Sequence, residues 1–528
     1  MSTLVSPGVS VTLIDESFYI PASAPTVPLF FIATREDKKK TDGVSDAMGA
    51  KESSVVRTIT SLNQSVSLYG VPYFREDNTG APLHGDARNE YGLFALNQYL
   101  GVGNRAYVVR ADVDLADSPV TTLTPGTPSF TGTGNGTCTN VAVNQSTGEE
   151  ELWTLEAVSA TQFNVSGFVS GTQNVATVGV PYNNGIIAFD LTAGVTPFIA
   201  GDTFTINVTA VVTNPASLGV NDAAKRVTIV TALQAEINSN QDVRSDYYEF
   251  NLILCPGYPE VVDEMLNLSL AVNEEAFVIA DTPNNKTPED TATWALTIAR
   301  QRSQNVGYYY PHGIASNLDG KDVFVAASGI ALKTFTTSDN VSEIWFPPAG
   351  LRRGVVVGVS DIGYVTGTLG TATTFVSTPL NQGQRDILYE FFKNINPIVF
   401  FPGRGIVVWG QKTSYSSASA FDRINVIRLL QKIKRDLRKA AMVYLFEIND
   451  QITRDSIKLM IDSYLGDILI RRGLYDFAVL CDSSNNTPVR IDRNELWVDI
   501  ALKPAKSIEF IYIPIRVLTT GAKMPTAG

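Results

Sequence analysis

The chain has 528 residues, 44% of them hydrophobic, and a formal net charge of −12. That length is more than one hydrophobic core accommodates and predicts roughly three or four domains of ~100–200 residues. The acidic balance argues against nucleic acid as the main partner, because binding phosphate takes a basic surface, and no apolar run approaches the ~20 residues of a membrane-spanning helix.

The first stretch, "GVSVTLIDE" (8–16), alternates Val9, Val11 and Leu13 with Ser10, Thr12 and Ile14, the period of two of a half-buried strand. No hairpin turn follows. Pro21, Pro25 and Pro28 come instead, and proline sits badly in a ladder. The start lacks the basic, apolar and small-residue pattern of a signal peptide, so synthesis and assembly in a cytoplasm are expected. Cys138, Cys255 and Cys481 are widely spaced and odd in number, which argues against a disulfide framework.

Residues 21–115 read as mixed α/β: "VPLFFIAT" as a short buried strand, "YGLFALNQYLG" as a helix stopped by Gly101, "NRAYVVRAD" as a strand. Between Arg110 and Lys225 there is neither lysine nor arginine, while Thr, Val, Gly and Asn crowd short β-like runs such as "FTINVTAVV". Residues 116–215 are therefore expected to form an inserted all-β domain with an acidic exterior. From 216 to 340 the α/β pattern resumes. "FNLILCPGYP" and "AFVIADTP" have the form of inner strands of a helix-covered sheet, and "EVVDEMLNLSLAVNEE", "EDTATWALTIARQRS" and "KDVFVAASGIALKTF" read as helices.

Catalytic signatures are weak. His84 and His312 have no neighbour at metal-ligand spacing and read as surface or packing histidines. "HGIASNLDGKD" resembles a phosphate loop only at Gly320-Lys321, with Ala315 in place of the leading glycine and Asp322 in place of the Ser/Thr. "GRGIVVWG" lacks the dinucleotide spacing, and Cys255 in "CPGY" reads as inert filling. Neither an enzyme activity nor a cofactor or metal is expected, although an α/β enzyme using the "ILCPGY" and "VIADTP" strand ends as a cleft is an alternative.

"FDRINVIRLLQKIKRDLRKAAMVYLFE" is more informative. At about 100° per residue, Val426, Leu430, Ile433, Leu437 and Ala440 share one side of a helix. Arg428, Lys432, Arg435 and Lys439 form a stripe on the other, flanked by Arg423, Lys434 and Arg438 and opposed only by Asp422 and Asp436. The ordinary reading is a solvated face. The scarcity of glutamates on the helix favours an acidic partner instead. At the end of the chain, "SIEFIYIPIRVLTT" is again strand-like, with Glu509, Ile511, Ile513, Ile515 and Val517 on one face. Two terminal strands either close on the chain's own sheet or are donated to neighbouring copies by strand addition. Head-to-tail donation builds open helical assemblies.

"SPGVSVTLIDES", "SDNVSEIWFPPAGLRRG" (338–354), "FDRINVIRLL" (421–430) and "LCDSSNNTPVRIDRNELWVDIALKPAKSIEFI" (480–511) resemble contractile tail sheath proteins of T-even-type phages. The resemblance covers mainly 1–20 and 338–528. It implies a multidomain α/β (α+β) fold: an N-terminal arm (1–20), a middle domain (21–115 and 216–340), the all-β outer insertion, a tube-facing C-terminal sheath domain (341–506) and a C-terminal arm (507–528). It implies stacked six-fold rings around an inner tail tube, contracting on a baseplate trigger to drive the tube through the host envelope. Its implied partners are further copies of the chain, the tube protein, and baseplate and tail terminator proteins, without direct nucleic acid or membrane insertion. Arg428, Lys432, Arg435 and Lys439 would contact the tube, and Val9, Val11, Leu13, Ile511, Ile513 and Ile515 would lie in the exchanged strands. The implied location is the phage virion, with a tailocin or secretion-system sheath as the alternative.

Overall fold

A computed structural model describes residues 26–513, apart from 41, 78, 117–119, 145–146, 214–221, 298–300 and 369–371. The expected first strand, with Val9, Val11 and Leu13, lies outside the described residues, as does Ile515. The chain divides into two compact units, Met1–Leu115 with Asn221–Gly528, and Ala116–Val220.

The first unit is built on an eight-stranded sheet in the order β2-β3-β1-β4-β5-β6-β7-β8. Its strands are β1 (Pro28–Thr34), β2 (Arg57–Ile59), β3 (Ala106–Asp114), β4 (Leu252–Leu254), β5 (Phe277–Asp281), β6 (Val306–Tyr310), β7 (Ile395–Phe401) and β8 (Gly405–Val408). β3, β1, β4, β5, β6 and β7 run parallel, and β2 and β8 are antiparallel margins. A parallel interior strand is covered on both faces, and the composition shows it: every residue of β1, "PLFFIAT", is buried. Helix α1 (Tyr91–Leu100) packs on β1 and on α2 (Ala327–Val341), while the helices Asp222–Ser239 and Val262–Ala271 pack on each other and on the sheet.

Two readings are corrected here. "KDVFVAASGIALKTF" is not one helix. Asp322–Val325 is a strand paired antiparallel with His312–Ser316, and α2 starts at Ala327. The apolar, β-branched "VFV" prefers the pleat, and helix formers begin only beyond it. Nor does the fold break at 340: α2 runs through that position, and β7 and β8 extend the same sheet.

The unit Ala116–Val220 carries a seven-stranded and a three-stranded antiparallel sheet. Its core is Trp153, Leu155, Phe163, Val165, Phe204 and Ile206 with their neighbours. "ELWTLEA" (151–157) alternates buried with more exposed residues at period two. The strands Val120–Pro125 and Thr203–Thr213 pair so that Val120 faces Thr213, which sets the two Cα atoms roughly 4.5–5.5 Å apart. Replacing 120–212 with a short linker should therefore leave the larger unit folded. Circular dichroism and denaturant unfolding would check this, with less than ~0.5 kcal/mol of change expected for that unit.

Candidate assembly surface

The C-terminal part of the first unit combines α3 (Ile424–Ala441), α4 (Gln451–Ile470) and a hairpin of β9 (Leu474–Leu480) and β10 (Asp499–Pro504). Leu429, Ile433 and Ala440 of α3 share a core with Ile457, Ile461, Leu465 and Ile468 of α4 and with Trp345. Phe477 and Val479 of β9 and Ile500 and Leu502 of β10 pack on this core, while Tyr475, Ala478 and Ala501 on the same strands are exposed. The 18-residue connection between the strands is stitched by its Asn-Asn pair. Asn485 Nδ2 donates to the Leu480 carbonyl at 2.8 Å, and Asn486 exchanges bonds with the Trp497 carbonyl and N–H at 2.9 and 2.7 Å. Among the described residues no third strand joins this sheet. A two-stranded sheet is marginal alone, and neither outer edge has a strand partner among the described residues.

Of the strand expected at the end of the chain, only residues 507–513 are described; the rest, with Ile515 and Val517, lies outside the described residues. Residues 507–513 pair with no strand, and Ile511 and Ile513 are about three-quarters exposed (76% and 77%). The Glu509 carboxylate pairs with Arg423 of its own subunit, Oε1 lying 2.6 Å from Nε.

The basic stripe of α3 is present as a helix face, and the four residues named as tube contacts each meet a carboxylate of their own subunit. Arg428 is 4% exposed and pairs with Asp339 at the end of α2, its Nη1 donating to Oδ1 at 3.1 Å, while its guanidinium lies 4.9 Å from the centre of the Phe335 ring. Arg435 is buried against Glu275, where burial pulls the guanidinium below its ordinary range. Lys432 pairs with Asp436 at 2.8 Å and Lys439 with Glu249 at 2.5 Å. Arg438 forks onto Glu275, with Nε to Oε1 at 2.7 Å and Nη2 to Oε2 at 3.0 Å, and that hydrogen bond raises it above its ordinary range. Asp246, Glu249, Glu274 and Glu275 all precede β4 or β5, so α3 crosses the amino-terminal edge of the sheet and is neutralised there. Helical periodicity located the stripe; its counterions lie 89–192 residues away along the chain, apart from Asp436.

The strand ends proposed as an enzyme cleft are filled. At the ends of β4 and β5, Asp281 accepts from the Gly257 and Ser328 N–H groups, both at 2.7 Å, and from Ser328 Oγ at 2.7 Å. Tyr91 packs on Tyr258, and a Cβ on Gly257, at φ +88°, would lie 2.7 Å from the Tyr91 ring. Cys255 is buried, its thiol pushed well up by burial. His312 is buried too. Its Nδ1 accepts from the Ala327 N–H at 3.2 Å, so Nε2 donates to the Thr282 carbonyl at 3.0 Å, and burial lowers its basicity. His84 sits half-buried beside Phe375. Gly320-Lys321 lies in the turn between the strands His312–Ser316 and Asp322–Val325, and "GRGIVVWG" is the turn and second strand of the β7–β8 hairpin, with Gly403 and Gly405 at φ +75° and +79°. Among the described residues no group of three or more His, Cys, Asp and Glu is placed to hold a metal, and no helix is long and apolar enough to cross a membrane.

The fold is that of the sheath subunits of contractile injection systems. It matches the sheath of an extracellular contractile injection system, a PVC sheath complex in the contracted state, over 98% of each chain, with TM-score 0.55 and 14% identity. The sequence narrows the relationship: residues 416–517 match the phage tail sheath C-terminal domain. The chain is 35% identical over 303 residues to the tail sheath protein of Vibrio phage KVP40, and 37% identical over 185 residues to that of Enterobacteria phage T4. These matches take in 57% and 35% of this chain but only 41% and 26% of the two relatives. The chain is thus a homologue of contractile phage tail sheath proteins.

Proposed function

We propose that this chain is the structural subunit of a contractile phage tail sheath, polymerising as stacked six-fold rings around an inner tube and shortening to drive that tube through a host envelope. The observation that carries the reading is the two-stranded β9–β10 sheet, which leaves two edges open inside the segment matched to the sheath C-terminal domain. The arms 8–15 and 507–518 of neighbouring copies would complete it. Main-chain ladders between copies hold while contacts between subunit bodies break and re-form, so each body can turn without leaving the lattice. The phage setting is favoured over a tailocin or secretion system because the sequence relatives are phage proteins. In that setting the protein resides in the virion, and its partners are its own copies, a tube protein, and baseplate and terminator proteins.

Tube contact through α3 carries over only for Lys432 and Lys439, the two of the four whose side chains are not buried. The insertion, with its acidic residues and no lysine or arginine, would face outward, and its removal would spare assembly. Purified full-length protein is expected to form hollow cylinders in negative stain; discrete small oligomers at every salt and concentration tried would overturn the reading.

A further inference from the structure

The last described residues leave the subunit at a defined point. Ala505 N–H donates to the Gly473 carbonyl at 3.0 Å, and Lys506 N–H to the Tyr475 hydroxyl at 3.3 Å. Glu509 then meets donors from three separate segments. Arg423, at the N-cap of α3, forks onto it with Nε to Oε1 at 2.6 Å and Nη2 to Oε2 at 3.0 Å. Gln411 Nε2, beyond β8, reaches Oε1 at 3.0 Å, and the Tyr389 hydroxyl reaches Oε2 at 3.4 Å. Asp422 also contacts Arg423, with Oδ2 2.9 Å from Nη1, so the guanidinium is shared between two carboxylates. A two-point guanidinium–carboxylate pair fixes direction as well as position. Immediately afterwards Phe510, Ile511, Tyr512 and Ile513 are each at least two-thirds exposed. Four successive large apolar side chains in water mark a segment awaiting cover.

We propose that Glu509 is the anchor of the C-terminal arm: residues up to 509 belong to their own subunit, the segment a second copy takes begins at Phe510, and tension on that segment passes through Arg423 into α3. The inference rests on the sheath reading above. Without the anchor, a pull on Ile511 would unzip β10 from its carboxyl end one residue at a time. With it, the pull reaches a helix already bonded to Asp339, Glu275 and Glu249.

Full-length Glu509→Ala, Arg423→Ala, the milder Glu509→Gln, and the exchange R423E/E509R are compared with the unchanged protein. In the unassembled subunit, trypsin cleavage at Lys506–Ser507 reports whether the root is held; fragments are identified by mass, which separates this cut from Arg516–Val517 and from the bond before Phe510 that the exchange makes cleavable, while Lys503 precedes a proline and resists cleavage. Cleavage is expected to quicken about tenfold in either alanine variant and to slow again in the exchange. Cylinder yield on a salt gradient is expected to fall in the alanine variants and recover in the exchange. Unchanged cleavage in the alanine variants overturns the anchor outright. Faster cleavage with unchanged cylinders overturns its role in assembly and leaves the sheath reading intact. If the unchanged protein forms no cylinders, the sheath reading fails, and the proposal that a second copy takes the arm fails with it, whatever trypsin shows at Glu509.

Discussion

Removing residues 1–20 is expected to abolish cylinder formation while leaving the unfolding transition of the subunit in place. The β9–β10 hairpin buries one face on α3 and α4 and leaves both edges without partners among the described residues. A donated strand of about six residues adds roughly four to six main-chain hydrogen bonds at ~1 kcal/mol each, net of water. A joint worth about 5 kcal/mol corresponds to more than a thousandfold in association, so its loss cannot be offset by working at higher protein concentration. The measurement is sedimentation and negative stain of the truncated protein beside its thermal melt. Cylinders of normal yield from the truncated chain would refute the exchange of this arm.

Replacing Asp339 by alanine is expected to cost the subunit about 3–5 kcal/mol, read from denaturant unfolding. The Asp339 side chain is fully buried and that of Arg428 nearly so. Taking away the carboxylate strands a guanidinium that water cannot reach, and the Thr26 hydroxyl loses its acceptor as well. Replacing both partners, as in D339A/R428M, is expected to recover most of the loss, because an apolar pair of similar volume carries no unpaired charge. The same reasoning changes the outcome of reversing Arg428, Lys432, Arg435 and Lys439 to glutamate together. A bare stripe would tolerate that reversal. Here it would set carboxylates against Asp339 and Glu275 in a buried seam, so the subunit is expected to unfold before any tube contact can be assayed. Reversing only Lys432 and Lys439 is the informative version.

What was legible in the sequence was local. "VPLFFIAT" and "AFVIADTP" announced interior strands because a strand covered on both faces has no use for polar residues, and the missing lysines and arginines marked out the insertion. The α3 helix was legible from its period. Its environment was not, because Asp339, Glu249 and Glu275 approach from other elements at separations that no window can span. The local misreading has a local cause. "KDVFVAASG" changes from strand to helix within three residues, inside the width of a helical pattern. "SIEFIYI" alternates as a strand does, but the arginine 86 residues earlier that holds Glu509 is a tertiary partner the alternation does not reveal.

The pairing of Val120 with Thr213 has a bearing on how such chains can change. A module whose entry and exit stand side by side asks nothing of its host except two adjacent attachment points. It can be enlarged, exchanged for an unrelated fold or dispensed with, while the strands and helices around it go on being selected for a different task. The same feature makes 120–212 a practical place to graft a foreign domain for display.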